Sequence, residues 1–427
     1  MLERVLKSQE CTLQQPLNNE AKNMRRVLTR LRSAYMACAL MLLNTIVAYL
    51  VLNLALGGVF FLRDQVREDP TWHRPLDELR GVYEGLEVSE IETILSENYH
   101  RPYIYSEFTH FSERPVDGRY VRVSAAGYRH SKNQGAWPLD VDNINIFVFG
   151  GSTTFGYGLP DEQTLPSHLQ DRFSRQSARP VRVYNFGVGW YYSTQERLQL
   201  EKLLFQGHVP DIAIFVDGLN DLSQGQNNEP AFNDQFAKTF ERVQGFGVQS
   251  PFSIFESSRA SSWYAALVKE TAVERAVISL RQRLARTRPS EQASLAKPRF
   301  AAAGKCYLNN ISLIALTCRH FDVEPLFVWQ PVPGYKYDLR YHLFANPDSH
   351  QDQREFYAWM AARLKAEPQG DRFLWCADIQ EDATECLYLD SQHYTAAFAS
   401  TFADTIVEMC RARGLFAETM GQEVQTR

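Results

Sequence analysis

Seven residues, Ile144 to Gly150, read INIFVFG, and they restrict the fold more than any other stretch of this chain. The run carries no charge and is dominated by β-branched and aromatic side chains. A strand that is apolar along its whole length is buried on both faces, the pattern of a central strand in a parallel sheet covered by helices. Glycines at 150 and 151 then break the strand, and a helical stretch follows from about Gln163 to Ser174. The same succession recurs. VRVYN at Val181–Asn185, DIAIFVDG at Asp211–Gly218, Glu324–Gln330 and Phe373–Cys376 read as strands. Lys305–Phe321, Asp352–Lys365 and Tyr394–Arg413 read as helices. Strands alternating with helices predict an α/β fold with a parallel sheet.

Chemistry-bearing residues stand where these elements end. Ser152 sits on the GGSTTFG turn after the first strand, at the carboxyl edge where open α/β sheets bind ligands. NFGVG at Asn185–Gly189 follows the second strand; its glycines let the backbone approach a ligand closely. GLND at Gly218–Asp221 follows the third. There Asn220 offers a side-chain amide to a developing negative oxygen, and Asp221 suits a helix cap. DSQH at Asp390–His393 precedes the last helix. Its carboxylate and imidazole are three residues apart, so one turn brings them to the same side. A carboxylate beside an imidazole fixes the tautomer and stabilises the imidazolium that forms during reaction. Each stretch alone reads equally well as an ordinary turn; the four in this order make a kit for acyl transfer.

Together they resemble the SGNH hydrolases, also called GDSL-type esterases, in a bacterial membrane-anchored branch. The resemblance covers about 143–415. It implies a three-layer α/β/α sandwich around a five-stranded parallel sheet of flavodoxin-like type. It implies Ser152 as nucleophile, His393 as base, Asp390 as its orienter, and Asn220 as an oxyanion donor beside the N–H of Ser152. Two departures stand out. Gly151 occupies the place of the family's Asp before the serine, a change shared by members with GGST. The block II donor falls four or five residues after Asn185, on Gly189 or Trp190, and a bulky Trp190 there would narrow the acyl pocket. Hydrolysis and acyl transfer to a sugar hydroxyl use the same nucleophile, so the motifs do not separate them.

The N-terminus sets the location. Ser33 to Leu62 contains no charged residue, and about 20 apolar residues span a bilayer. Lys22, Arg25, Arg26, Arg30 and Arg32 precede the run, whereas only Arg63 and Arg67 follow closely. By the positive-inside rule, residues 1–32 are a cytoplasmic tail and 33–62 a single transmembrane helix. The large domain then lies outside the cytoplasm, in the periplasm of a bacterium with an inner and an outer membrane. A signal peptide has a shorter apolar core. From Arg63 onward 38 basic residues face 47 acidic ones, a net −9. This leaves no electrostatic case for nucleic acid.

Residues 63–142 form a lead-in, with a helical piece near 76–97 and a strand-like alternation at Tyr120–His130 that turns at Gly127. It serves either to shape the substrate cleft or as a spacer. The main domain, 143–427, contains an insert at about 223–303, placed to act as a lid. Within the insert Val273, Val277, Leu280 and Leu284 share one helical face and Arg275, Arg281, Arg283 and Arg286 the others. The polar stretch 287–298, with two prolines, reads as a mobile linker. After the fourth strand, the loop through Tyr335, Tyr337 and Arg340 is placed to line the cleft.

Of seven cysteines, Cys306 and Cys318 stand twelve apart on one helix and cannot bridge. Cys376 and Cys386 flank the loop before the Asp–His turn and are the pair that an oxidising compartment could join. No spacing resembles a zinc site or a phosphate loop, and no cofactor is implied. The leading reading is an anchored serine esterase or O-acyltransferase acting on acyl esters of envelope or exported polysaccharide. A lipid or small-molecule esterase is the alternative within the class, and a catalytically silent SGNH-fold binding or assembly component the alternative outside it.

Overall fold

The computed structural model describes residues 2–66, 79–83, 85–224, 271, 273, 276–277, 289–345 and 347–421. The chain divides into two compact units: 1–68 with 249–288, and 69–248 with 289–427.

In the first unit a single helix, α1 (Leu2–Val66), contains a stretch from Met24 to Phe60 long and apolar enough to cross a membrane. Asn53 lies inside this stretch. Its amide donates to the Tyr49 carbonyl and its oxygen accepts from the Val273 N–H at 3.3 Å. The Tyr49 hydroxyl donates to Thr271 at 3.1 Å. Thr271 and Val273 thus partner polar groups of the apolar helix; the insert expected as a lid lies largely outside the described residues. The expected amphipathic face of the insert lies mostly outside the described residues.

The second unit is built on a sheet of five parallel strands: β5 (Ile144–Gly150), β6 (Val181–Asn185), β7 (Ile212–Asp217), β8 (Glu324–Trp329) and β9 (Phe373–Trp375). Their spatial order is β6-β5-β7-β8-β9, and every neighbouring pair is parallel. Side chains alternate across the pleat, so each strand feeds two cores. One face is aliphatic: Ile146, Val148, Ile214, Val216 and Val328 pack beneath α4 (Leu165–Ser174) and α9 (Ala396–Ala412) through Leu169, Phe402 and Ile406. The other is aromatic: Phe147, Phe149, Phe215, Phe327 and Trp329 meet α5 (Ser193–Phe205), α7 (Pro289–His320) and α8 (Pro347–Ala366) through Leu200, Tyr307 and Phe356. This is the expected three-layer α/β/α sandwich.

The strand order places the site. From β5 the chain moves one way to β6, then crosses back to β7 on the other side of β5. At such a reversal the loops leave in opposite directions and open a crevice at the carboxyl ends of the strands. Ser152 follows β5 and Asn220 follows β7, so both stand on that crevice.

The segment before β5 is folded onto the sandwich. Helix α2 (Val88–Tyr99) buries Ile91 and Leu95 in the same cluster as Val148 and Leu165. Two short antiparallel pairs follow, β1 (Ile104–Ser106) with β2 (His110–Ser112), and β3 (Val116–Asp117) with β4 (Arg122–Val123). Arg129 bridges Val123 to Asn185 of β6, and Gly127 makes the expected turn at φ +89°.

The linker expected at 287–298 is corrected: α7 already begins at Pro289 and carries Pro298 inside it. Proline suits the first helical turn, and the Glu, Gln, Ala and Lys that follow are good helix formers. The possible Cys376–Cys386 bridge is absent. Both thiols are free; Cys376 contacts the Met409 sulfur, and Cys386 donates to the Tyr388 carbonyl at 3.3 Å.

Candidate active site

Ser152 opens a short helix, α3 (Ser152–Phe155), with Gly151 before it as N-cap. At the first helical position its own N–H has no intrahelical acceptor. Gly151 has an ordinary φ of −83°, so the demand for glycine there is one of space. A Cβ would collide with Asn220 Nδ2 and stand 3.1 Å from the Tyr191 carbonyl oxygen. The turn is closed by the N–H groups of Gly156 and Tyr157, which donate to the Ser152 carbonyl at 2.9 and 3.1 Å. Arg129, fully buried, fixes its far end by donating to the carbonyls of Phe155, Gly156 and Leu159 and pairing with Asp161. Asn185 adds bonds to the Thr154 and Phe155 carbonyls.

Asn220 lies in α6 (Leu219–Gln224). One of its two amide hydrogens goes to the Tyr191 carbonyl at 2.7 Å, leaving the other available. Asp221 reaches back to accept the Gly218 N–H at 3.2 Å, the acidic half of a capping box.

On the opposite rim, Asp390 Oδ2 stands 2.6 Å from His393 Nδ1, and Oδ1 accepts the N–H groups of Gln392 and His393. Burial would raise the Asp390 carboxyl. The His393 charge beside it and the bonds from His393 and Tyr99 reverse this and hold it well below the usual carboxylate range. With Nδ1 held, the other ring nitrogen, Nε2, is buried and has no partner among the described residues.

Two contacts draw the serine turn and the imidazole together. Thr153 and Tyr394, the residues next to Ser152 and His393, both donate to Gln330 Oε1, at 2.7 and 2.8 Å. Tyr157, closing the serine turn, stacks its ring on His393 with centroids 5.5 Å apart. Ser152, His393 and Asn220 are thus carried on turns tied to one another through Gln330, Tyr157 and Gly151, with a hydroxyl, an imidazole and a side-chain amide among them. Such a set suits nucleophilic attack on a carbonyl.

Residues 148–301 match the model of the GDSL-like lipase/acylhydrolase family. These residues carry a GDSL-like lipase/acylhydrolase domain, and that match supports esterase or acylhydrolase activity. No curated protein matches the chain in sequence. Solved structures similar to it include the lipase Lip_vut3 from goat rumen metagenome, at 12% identity and a TM-score of 0.36, covering 64% of this chain and 97% of that one. A member of the lipolytic G-D-S-L family from Veillonella parvula aligns at 12% identity and 0.33, over 62% and 96%. A GDSL-like lipase from Bacteroides thetaiotaomicron aligns at 10% and 0.31, over 66% and 93%.

Gly189 and Trp190, the two expected block II donors, differ in what their backbone does. Gly189 is buried and its N–H donates to Glu113 Oε1 at 3.1 Å; a Cβ there would collide with the Tyr103 hydroxyl. Trp190 adopts φ +69° and is 47% exposed, so it is not part of the core. Tyr337, expected to line the cleft, is buried instead against Tyr388 and donates to the Glu385 carbonyl. Sequence reasoning missed Tyr99, Glu113 and Tyr157. Of these only Tyr157 carries a local signal, five residues after the serine on the same turn.

Proposed function

We propose that this chain is a serine ester hydrolase or O-acyltransferase working through an acyl-enzyme on Ser152. The observation that carries the reading is the His393 imidazole, held at Nδ1 by Asp390 and unpartnered at a buried Nε2. In this reading Nε2 takes the Ser152 proton as Oγ attacks an ester carbonyl. Asp390 keeps the ring in the tautomer that can accept, and stabilises the imidazolium. Collapse of the tetrahedral adduct expels the alcohol, which receives that proton. Water or a second hydroxyl then takes the acyl group by the same steps in reverse.

The oxyanion is received by the Ser152 N–H, the free Asn220 amide hydrogen and one block II N–H. Trp190 is favoured for that last donor over Gly189, whose N–H is engaged by Glu113. In full-length protein in detergent, a fluorophosphonate probe labels wild type and not Ser152→Ala, and p-nitrophenyl acetate is turned over by wild type alone. Equal labelling of both, or none of wild type, overturns the reading.

The uncharged run from Ser33 to Leu62 within α1 and the basic residues before it support a single-pass anchor in a bacterial inner membrane, N-terminus in the cytoplasm and catalytic unit outside. Protease added to spheroplasts would then digest the catalytic unit; full protection would refute this orientation. That location favours acyl esters of envelope or exported polysaccharide as substrate. Acetate released from such a polymer marks a hydrolase, and acetyl groups gained by a sugar acceptor mark a transferase.

A further inference from the structure

His393 is gripped from outside the motif that carries it. Tyr99, last residue of α2, donates its hydroxyl to Asp390 Oδ2 at 2.7 Å and stands 3.3 Å from His393 Nδ1. Its ring edge also meets the imidazole, with centroids 6.1 Å apart. The other face of the ring environment is set by Tyr157, which stacks on His393 and meets Tyr99 edge-on at 5.3 Å. Tyr157 is itself tied down: its hydroxyl donates to Glu113 at 2.9 Å and bonds the Tyr103 hydroxyl. Glu113 pairs with Arg101 and also takes the Gly189 N–H. Tyr99 is placed firmly, because Ile91 and Leu95 of the same helix are core residues and the adjacent Asn98 donates to the Leu159 carbonyl.

The geometry therefore points to Tyr99 as a positioning residue for the Asp390–His393 pair. Its hydroxyl fixes the carboxylate oxygen that holds Nδ1, so the segment before the sheet is part of the reaction apparatus. This rests on the Ser152 acyl-enzyme reading. With one donor fewer, Oδ2 is held by the His393 ring alone, and the imidazole is aimed less firmly. The effect falls on kcat, because Tyr99 acts through the Asp390–His393 pair.

A double-mutant cycle in the full chain tests it, read by p-nitrophenyl acetate kinetics and the rate of fluorophosphonate labelling. Tyr99→Phe, which keeps the ring, lowers kcat and the labelling rate about tenfold, the usual loss for a hydrogen bond to a charged group, with KM unchanged. In an Asp390→Asn background the same change costs less than about twofold, because the group through which Tyr99 acts is already lost. Tyr99→Phe at wild-type rates, or an equal loss in both backgrounds, overturns the assignment and leaves ester hydrolysis standing. An inert wild type overturns both.

Discussion

Two aspartates at the carboxyl edge of the same sheet meet opposite fates. Asp390 sits before α9 and collects four donors: the His393 ring, the Tyr99 hydroxyl and two backbone N–H groups. Asp217 ends β7, and its oxygens meet no donor among the described residues except the neighbouring Glu196 carboxyl. Its close neighbours are Glu196 and Asp221, all three carboxylates being buried. Burial pushes both aspartates up, but only Asp390 has the donors, the His393 ring among them, to reverse it. Asp217 is raised well above the ordinary range, first by burial and then by the Asp221 charge, and Glu196 is raised likewise by burial and the Asp217 charge. The lesson is that donors, not depth, decide which acid is ionised. Asp390 is held as an anion beside a base, whereas burial and the neighbouring carboxylates favour the protonated forms of Asp217 and Glu196. No group of three or more His, Cys, Asp or Glu among the described residues is arranged to hold a metal ion.

The contrast is broken most directly by making each acid an amide. Asp390→Asn should lower kcat by about 10⁴, the scale known for the orienting aspartate of a serine protease. Asp217→Asn should leave kcat within a few fold. A reversal of these two results in ester hydrolysis kinetics would refute the assignment of roles.

A smaller loss tests the amide beside the serine. Asn220→Ala should cost about 10²–10³ in kcat, as expected for one oxyanion donor, with KM little changed. Gly151→Asp, which restores the residue usual in the family, should cost about tenfold or more here, because its Cβ collides with the Asn220 amide. Wild-type activity in Gly151→Asp would mean that Asn220 is not needed where it stands.

The smallest effect is on stability, followed by thermal unfolding across pH. Asp390 is held below its unfolded value of about 3.9, so its contribution is complete above that pH and is lost only as pH falls through the lower folded value. Asp217 is raised, so its contribution is complete below about pH 4 and is lost as pH climbs toward the folded value. Asp217→Asn should therefore raise Tm at pH 8 and change it little at pH 4. Equal shifts at both pH values would show that Asp217 does not hold its proton in the folded state.

Much of this was legible in the letters because it is local. INIFVFG carries its own burial on both faces, and the glycines after it mark the strand end and turn that carry Ser152. Asp390 and His393 find each other across three residues. The polar stretch from Pro289 misled because polarity was taken for flexibility, whereas its residues favour helix and α7 continues through them. Cys376 and Cys386 misled because nearness in sequence is not nearness of sulfur atoms; burial directs Cys376 to Met409.

By itself the sequence determined the strands, the chain order of the candidate nucleophile, amide, carboxylate and imidazole, and the apolar N-terminal helix. The tertiary structure alone decided how the imidazole is held and which block II N–H is already engaged. The physical reason is separation along the chain. Tyr99 meets Asp390 across 291 residues, and Glu113 meets Gly189 across 76. Periodicity and turn chemistry act over a few residues, whereas those bonds exist only after the segment before the sheet has folded onto it.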